Sequence, residues 1–239
     1  MRTKRVVVLT GAGISAESGV RTFRDNGGLW ENHRVEDVAT PEAWAQQPET
    51  VWRFYQARRR QLNEVEPNPA HRALARFEKA CEMVLITQNV DDLHERGGSQ
   101  HVIHMHGELR QLRCEVSGRS ETRMDEMDLT DAFVQCNCCA TPQRLRPDIV
   151  WFGEVPMHLH DILEAVIACD VFIVVGSSGH VSPASNLVDL AKESGAQTIL
   201  VNAEEPVNID AFDECHLGLA GELLPDLVDA WLSLSSGEN

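Results

Sequence analysis

The sequence predicts an α/β fold: a doubly wound parallel sheet, interrupted by a helical insert and by a smaller insert that carries cysteines. Three observations lead there. A short apolar run, residues 6–10, breaks into Gly11, Gly13 and Ala16 at G-x-G-x-x-A spacing, with Gly19 soon after. Further apolar runs alternate with helical patterns along most of the 239 residues, as strand–helix–strand units do. No apolar stretch approaches the ~20 residues that a membrane helix needs, so the apolar material is expected in a globular core.

Taken in order, strands are expected at residues 6–10, 83–87, 101–105, 171–176, 198–202 and near 217–219. Most are short continuous apolar runs, as buried parallel strands are. Helices are expected at about 13–18, 69–79, 159–168, 183–194 and 222–234, with Gly195 stopping the fourth. The glycines after residue 10 allow a tight turn and a close approach to a pyrophosphate. The helix that follows aims N–H groups at it, which makes the arrangement Rossmann-like. Residues 31–66 read as a helical insert with Trp44, Trp52 and the only tyrosine, Tyr55. Residues 110–147 are polar, cysteine-bearing and poor in periodicity. The Rossmann-like part is then 1–30, 67–109 and 148–239 of one domain.

Composition narrows the function. A net charge of −16 argues against a nucleic-acid binder, which would present a basic face. It suits basic, lysine-containing polypeptides, and it also serves solubility. The N-terminus lacks the apolar segment and cleavage site of a secretory signal, so a cytoplasmic protein with no membrane partner is expected. Seven cysteines, an odd number, make a disulfide framework unexpected. Cys81, Cys169 and Cys215 sit among apolar residues as small core side chains, whereas Cys136 and Cys139 have C-x-x-C spacing. Hydride-transferring Rossmann enzymes place an acidic residue about 20 positions after the glycines to hold the ribose. Here that region is the helical insert, which weakens a redox reading.

Polar residues collect after the expected strands. Gln88, Asn89 and Asp91 follow the second, and read as a turn with an Asp cap on spacing alone. His106 follows the third, where open α/β sheets gather ligands, and an imidazole suits proton transfer near neutral pH. His104 falls on the same sheet face, so spacing alone does not choose between the two.

GAGISAESGVRTFR (11–24), TQNVDDLH (87–94), HMHGEL (104–109) and WFGE (151–154) occur in one order, and together they resemble the sirtuin family of NAD-dependent protein-lysine deacylases. The likeness runs from about residue 6 to residue 220. It implies NAD bound by Gly11, Ala12, Gly13 and Ala16, with Phe23 and Arg24 in a loop that covers the cofactor. It implies Gln88 near the ribose, Asn89 and Asp91 lining a nicotinamide pocket, and His106 as the base that deprotonates a ribose hydroxyl. Later contacts fall on Gly176, Ser177 (for a threonine) and Ser178, on Asn202, Ala203 and Glu204 near the adenosine ribose, and on Ala220 near the adenine. Phe152, Gly153 and Val181 match segments that hold an acyl-lysine peptide as an added strand. The expected products are nicotinamide, O-acyl-ADP-ribose and free lysine.

The cysteine insert resembles the family's small zinc module, with structural Zn²⁺ on Cys114, Cys136 and Cys139. It departs from two C-x-x-C pairs at Ser117, a poor ligand. Cys138 is a possible fourth thiolate, although adjacent Cys138 and Cys139 are not expected to share an ion readily. Tyr55 and Arg58, three apart on one helix face, match the Tyr-x-x-Arg pair of the subgroup that acts on succinyl- and malonyl-lysine. On spacing alone, Tyr55 packs in the core and Arg58 joins Arg59 and Arg60 on a solvated basic face. Two other classes stand beside the deacylase, an ADP-ribosyltransferase on the same scaffold and a non-catalytic NAD or ADP-ribose binding module; the latter would need no base at His106.

Overall fold

The computed structural model describes residues 4–20, 29–30, 33–122 and 131–236. Strand β1 (Arg5–Thr10), valine-rich and nearly all buried, lies inside a six-stranded sheet. It pairs in parallel with β4 (Glu82–Thr87) on one side and β9 (Val171–Val175) on the other. Beyond β4 lies β5 (Val102–His104); beyond β9 lie β10 (Gln197–Asn202) and β11 (Glu214–Leu217), and these pairings are also parallel. The spatial order β5-β4-β1-β9-β10-β11 is the 3-2-1-4-5-6 succession of dinucleotide-binding sheets.

Because side chains alternate along a strand, β1 feeds two cores. Val6 and Val8 pack with Leu74 and Phe77 of α5 (Pro69–Ala80) and with Leu224 and Val228 of α9 (Ala220–Ser236). Val7 and Leu9 pack with Ile162 and Val166 of α7 (Leu159–Ala168) and with Leu187 and Val188 of α8 (Leu187–Glu193). Each such side chain stabilises the fold by about 1.5–3 kcal/mol on burial. Helix α5 starts where the sequence says it should: Pro69 occupies its first turn, and the Asn68 side chain accepts from the Ala70 and His71 amides.

A third core joins the two inserted regions. Helices α2 (Val35–Val38), α3 (Pro41–Gln46) and α4 (Pro48–Leu62) contribute Val38, Trp44, Trp52 and Tyr55. An antiparallel sheet in the order β7-β6-β8 contributes Leu109, Leu112 and Leu145; its strands are β6 (Gly107–Cys114), β7 (Ser120–Glu121) and β8 (Leu145–Ile149). A short pair, β2 (Leu29–Trp30) and β3 (His33–Arg34), precedes α2. Single-turn helices α1 (Ala12–Ala16) and α6 (Leu93–Gly97) follow β1 and β4. Among the described residues, no helix is long and apolar enough to cross a membrane.

Three local expectations need correction. Strand β6 hides from a period-two search because its register shifts between Glu108 and Leu112, so that Leu109 and Leu112, three apart, are both buried. The last strand ends at Leu217 rather than centring on 217–219, since Leu217 and Leu219 are 49% and 45% exposed at the sheet edge. The fourth helix opens as a 3-10 turn, Ala184–Asn186, before α8; Gly195, at φ +89°, follows its end as expected.

Gly107, at φ +80°, seats the start of β6 against β8, and a Cβ there would lie 2.0 Å from the Asp148 carbonyl oxygen. Gly107→Ala should therefore destabilise the chain by more than about 3 kcal/mol in denaturant titration. Gly118→Ala, at φ +71° with nothing within 4 Å, should cost only about 1 kcal/mol.

Candidate active site

The chain leaves β1 toward β4 and returns at β9 on the other flank, so strand order reverses between β1 and β9. Ligands of open α/β sheets bind in the crevice at such a switch point. Here the turn after β1 lies directly on the turn after β9. The Gly11 amide donates to the Val175 carbonyl at 2.9 Å, and the Gly13 amide to the Gly176 carbonyl at 2.8 Å. A Cβ on Gly11 or Gly13 would come within 2.8 or 2.7 Å of Gly176 backbone atoms. Gly176 itself, at φ +63°, has the Ile14 nitrogen 2.4 Å from where its Cβ would be. Ala12 and Ala16 sit exposed on this turn and its short helix.

The residues after β4 are tied to that contact. Gln88 donates its side-chain amide to Ser177 Oγ at 2.9 Å. Asn89 Nδ2 donates to the Gly11 carbonyl at 3.2 Å and to Ser15 Oγ at 3.0 Å. Asp91 is buried, accepts from the Leu93 amide at 3.2 Å, and is pushed up to about 6 by burial. Ser15 is a site residue that sequence reasoning passed over; its one signal is a hydroxyl between apolar Ile14 and Ala16 in a turn expected to be buried.

The two histidines now separate. His106 lies 2.9 Å through Nδ1 from the Gln88 carbonyl, which can only accept, so Nδ1 carries the proton and Nε2 keeps its lone pair. Burial lowers its pKa, which keeps the ring neutral near pH 7. His104 has both nitrogens engaged, with the Asn89 carbonyl at 3.3 Å and the Glu95 carboxylate at 2.8 Å.

The remaining expected contacts lie around the same sheet edge or beyond it. Ser178 Oγ accepts from the His180 amide at 3.3 Å. Asn202, buried, donates to the Glu204 carbonyl at 2.7 Å and accepts from the Gly218 amide at 2.8 Å, which links the β10 turn to the loop before Ala220. Ala203 and Glu204 are exposed, and Ala220 is buried at the start of α9. Phe23 and Arg24 lie outside the described residues. Phe152 is 51% and Val181 37% exposed, unusual for large apolar side chains, and Gly153 at φ +91° has open space around it.

Tyr55 is fully buried in α4, and its hydroxyl accepts from the Trp151 indole N–H at 2.9 Å. Arg58 is half-buried, with its guanidinium 4.8 Å from the centre of the Phe54 ring. Arg59 is buried and donates to the Leu109 carbonyl, while Arg60 is exposed beside Asp131. Three consecutive arginines thus enter three environments instead of one solvated face.

Four thiols meet in the cysteine insert. The Sγ atoms of Cys114, Cys136, Cys138 and Cys139 all lie within 4.8 Å of one another. Cys139 is 3.7 Å from Cys114 and 3.8 Å from Cys138. A tetrahedral zinc ion with Zn–S bonds of about 2.3 Å sets its sulfurs about 3.8 Å apart, so the cluster fits structural zinc. This corrects the expectation that adjacent Cys138 and Cys139 would not share an ion: the tight 136–139 turn aims both inward. Ser117 holds the ligands instead of joining them, with its amide 3.5 Å from Cys114 Sγ and its hydroxyl 3.0 Å from Cys138 Sγ. Metal analysis should find about one zinc per chain. Cys138→Ser and Cys136→Ser should both lose the metal and lower the melting temperature, while Ser117→Ala should keep the zinc.

Comparison with known proteins accords with this geometry. Residues 11–183 match the model of the Sir2 family. An NAD-dependent protein deacylase of Yersinia pseudotuberculosis is 51% identical over 243 residues, covering 100% of this chain and 86% of that protein. One from Pasteurella multocida is 50% identical, covering 95% and 98%. Among solved structures, a Sir2 homologue in complex with NAD superposes with a TM-score of 0.89 at 40% identity, covering 98% of this chain and 91% of that one. A complex of Sir2 with a p53 peptide and NAD⁺ gives 0.82 at 28% identity, covering 96% and 94%. Matched by the family model over residues 11–183 and about half identical to deacylases along nearly its whole length, the chain belongs to the Sir2 family.

Proposed function

We propose that this protein removes acyl groups from protein lysines at the expense of NAD, acting on succinyl- and malonyl-lysine as well as acetyl-lysine. The products are nicotinamide, O-acyl-ADP-ribose and free lysine. One observation carries the reading: a neutral imidazole with its basic nitrogen available stands beside a buried amide and carboxylate at the sheet's switch point. The names of relatives about half identical over nearly the whole chain support it.

The residues suit NAD. Gly11, Gly13 and Gly176 keep side chains off the turns where a diphosphate would lie, with Ala12, Ala16, Ser177 and Ser178 beside them. Asn202, Ala203, Glu204 and Ala220 would meet the adenosine half. Asn89 and Asp91 would take the carboxamide end, with Gln88 reaching toward the ribose. NAD would supply an electrophilic ribose carbon, which takes the acyl oxygen as its bond to the nicotinamide nitrogen breaks and nicotinamide leaves. His106 Nε2 then takes a ribose hydroxyl proton, its Nδ1 held by Gln88 so that the ring cannot turn away. A peptide would lie as an added strand between Phe152–Gly153 and Val181, where recognition runs through the main chain.

His106→Ala should lower deacylation about 10²–10⁴-fold. It should leave NAD binding and nicotinamide exchange in place, because the proton moves after the first bond breaks. Near-normal deacylation by that variant would remove His106 from the role of base.

For the acyl group, Tyr55 and Arg58 would hold a distal carboxylate. The Trp151 indole donates to the phenol oxygen and so holds the phenol in place, and Arg58 does not share the exposed position of Arg60. A charge-assisted hydrogen bond contributes about 1.5–3 kcal/mol. Arg58→Met should therefore cost succinyl-lysine about 10- to 150-fold in kcat/KM and acetyl-lysine much less. An equal loss on both substrates would contradict the carboxylate clamp.

A further inference from the structure

His104 is the strand neighbour of Thr87, at the C-terminal ends of β5 and β4, so it stands beside the turn that carries Asn89 and Asp91. Its Nδ1 meets the Asn89 carbonyl at 3.3 Å and its Nε2 the Glu95 carboxylate at 2.8 Å. Neither partner can donate, so both ring nitrogens carry protons, and the ring is a buried imidazolium. We propose that His104 and Glu95 form a positioning pair: the imidazolium clamps the Asn89 carbonyl and sets a fixed positive charge behind the Asp91 carboxylate. The proposal rests on the assignment of Asn89 and Asp91 to the nicotinamide pocket.

The surroundings call for such a charge. Asp91 is fully buried, and the neighbouring Asp92 opposes its ionisation while His104 favours it. Asp92 already engages Arg110 at 2.6 Å and Arg96 at 3.7 Å. The groups that face His104 are Glu95 and His94 of α6, Asp91 in the turn and Glu108 of β6. Burial alone would pull the His104 pKa down, but the bond to Glu95 and the charges of Glu95 and Glu108 turn the shift upward. The Asn89 turn is also held by the Thr87 hydroxyl, 3.0 Å from the Asn89 amide, and by the Leu109 amide, 2.8 Å from the Val90 carbonyl. His104 adds a hold at the Asn89 carbonyl itself, while the Asn89 side chain bridges Gly11 and Ser15.

The test is the pH profile of nicotinamide exchange, which on this reading of the pocket runs with Asp91 ionised and does not use His106. His104→Gln keeps a donor for the Asn89 carbonyl but removes the charge; the acid limb should move up by about one pH unit, the size expected for losing a nearby opposite charge. Exchange at pH 6 should fall about fivefold to tenfold with little change in KM for NAD. Glu95→Gln changes a side chain that is 40% exposed and keeps an acceptor for Nε2, so it answers the question even if His104→Gln folds poorly. It should move the limb the same way by less, because His104 then loses its proton more readily. Asp91→Asn, run in parallel, should abolish the acid limb. If it does, and the limb stays in place in both His104→Gln and Glu95→Gln while only their melting temperatures fall, the pair is merely structural and the proposal fails. If Asp91→Asn keeps the limb, the pocket assignment itself fails, and the charge role of the pair with it.

Discussion

The turn after β1 rests on the turn after β9, backbone against backbone, and the whole site is tethered to that contact. Two hydrogen bonds of 2.9 and 2.8 Å make it, and the absence of three Cβ atoms permits it. From it a chain of bonds runs outward. The Gly11 carbonyl takes the Asn89 amide, Ser177 takes the Gln88 amide, and the Gln88 carbonyl takes the His106 ring. His106 is therefore positioned by two turns to which it contributes no residue. A side chain added at residue 13 would push β9 and β1 apart at their ends and misalign groups on both flanks.

The cysteine insert lies outside this chain of bonds, yet it reaches Tyr55 of the proposed acyl pocket through packed aromatic rings. Glu115, next to Cys114, receives the Trp44 indole N–H and lies 2.7 Å from Arg144. Arg144 covers the Trp44 and Phe133 rings at 4.7 and 4.9 Å. Trp44 leans on Trp151 at 5.8 Å, and Trp151 donates to Tyr55. Arg146, bonded to Glu154 at 2.7 and 2.9 Å, lies 3.4 Å above the Trp151 ring. Interiors this closely packed transmit displacement rather than absorb it. The zinc cluster thus holds the wall of the proposed acyl pocket without touching a reacting atom.

The fold was largely legible because the sheet is doubly buried: runs such as VVVLT and VFIVV have one reading once glycine turns follow them. What stayed hidden was set by tertiary neighbours. A bulge erased the alternation of β6, and β11 carries polar residues because it is an edge. In the site, sequence could bring His104 and His106 to one face, but only the partners of their nitrogens distinguish a bound cation from a free base. Cys138 was undervalued for a similar reason. Adjacent ligands look incompatible when only spacing is considered, and become compatible when the turn that carries them is known. Arg58, Arg59 and Arg60 read as one charged run, and α4 sends them to three different surroundings.

Histidines around the site carry different charges, and the fold assigns each one. His71 caps α5 through Nδ1, 3.3 Å from the Asn68 amide, and burial pulls its pKa to about 4. Burial also pulls the His94 pKa well below the ordinary value; His94 lies 2.9 Å from the Thr10 hydroxyl, with the His71 ring centre 4.9 Å away. A lowered folded-state value means that the unfolded chain binds more protons, so His71 contributes stability above about pH 6.5 that is lost as pH falls toward about 4, and His94 acts with the same sign. His104 has the opposite sign: its raised value gives stability in acid that is lost as pH rises past it. Asp91, raised to about 6, also favours the folded state on the acid side, where it is neutral. Acid that neutralises Asp91 therefore strengthens some of these contributions to the fold and weakens others.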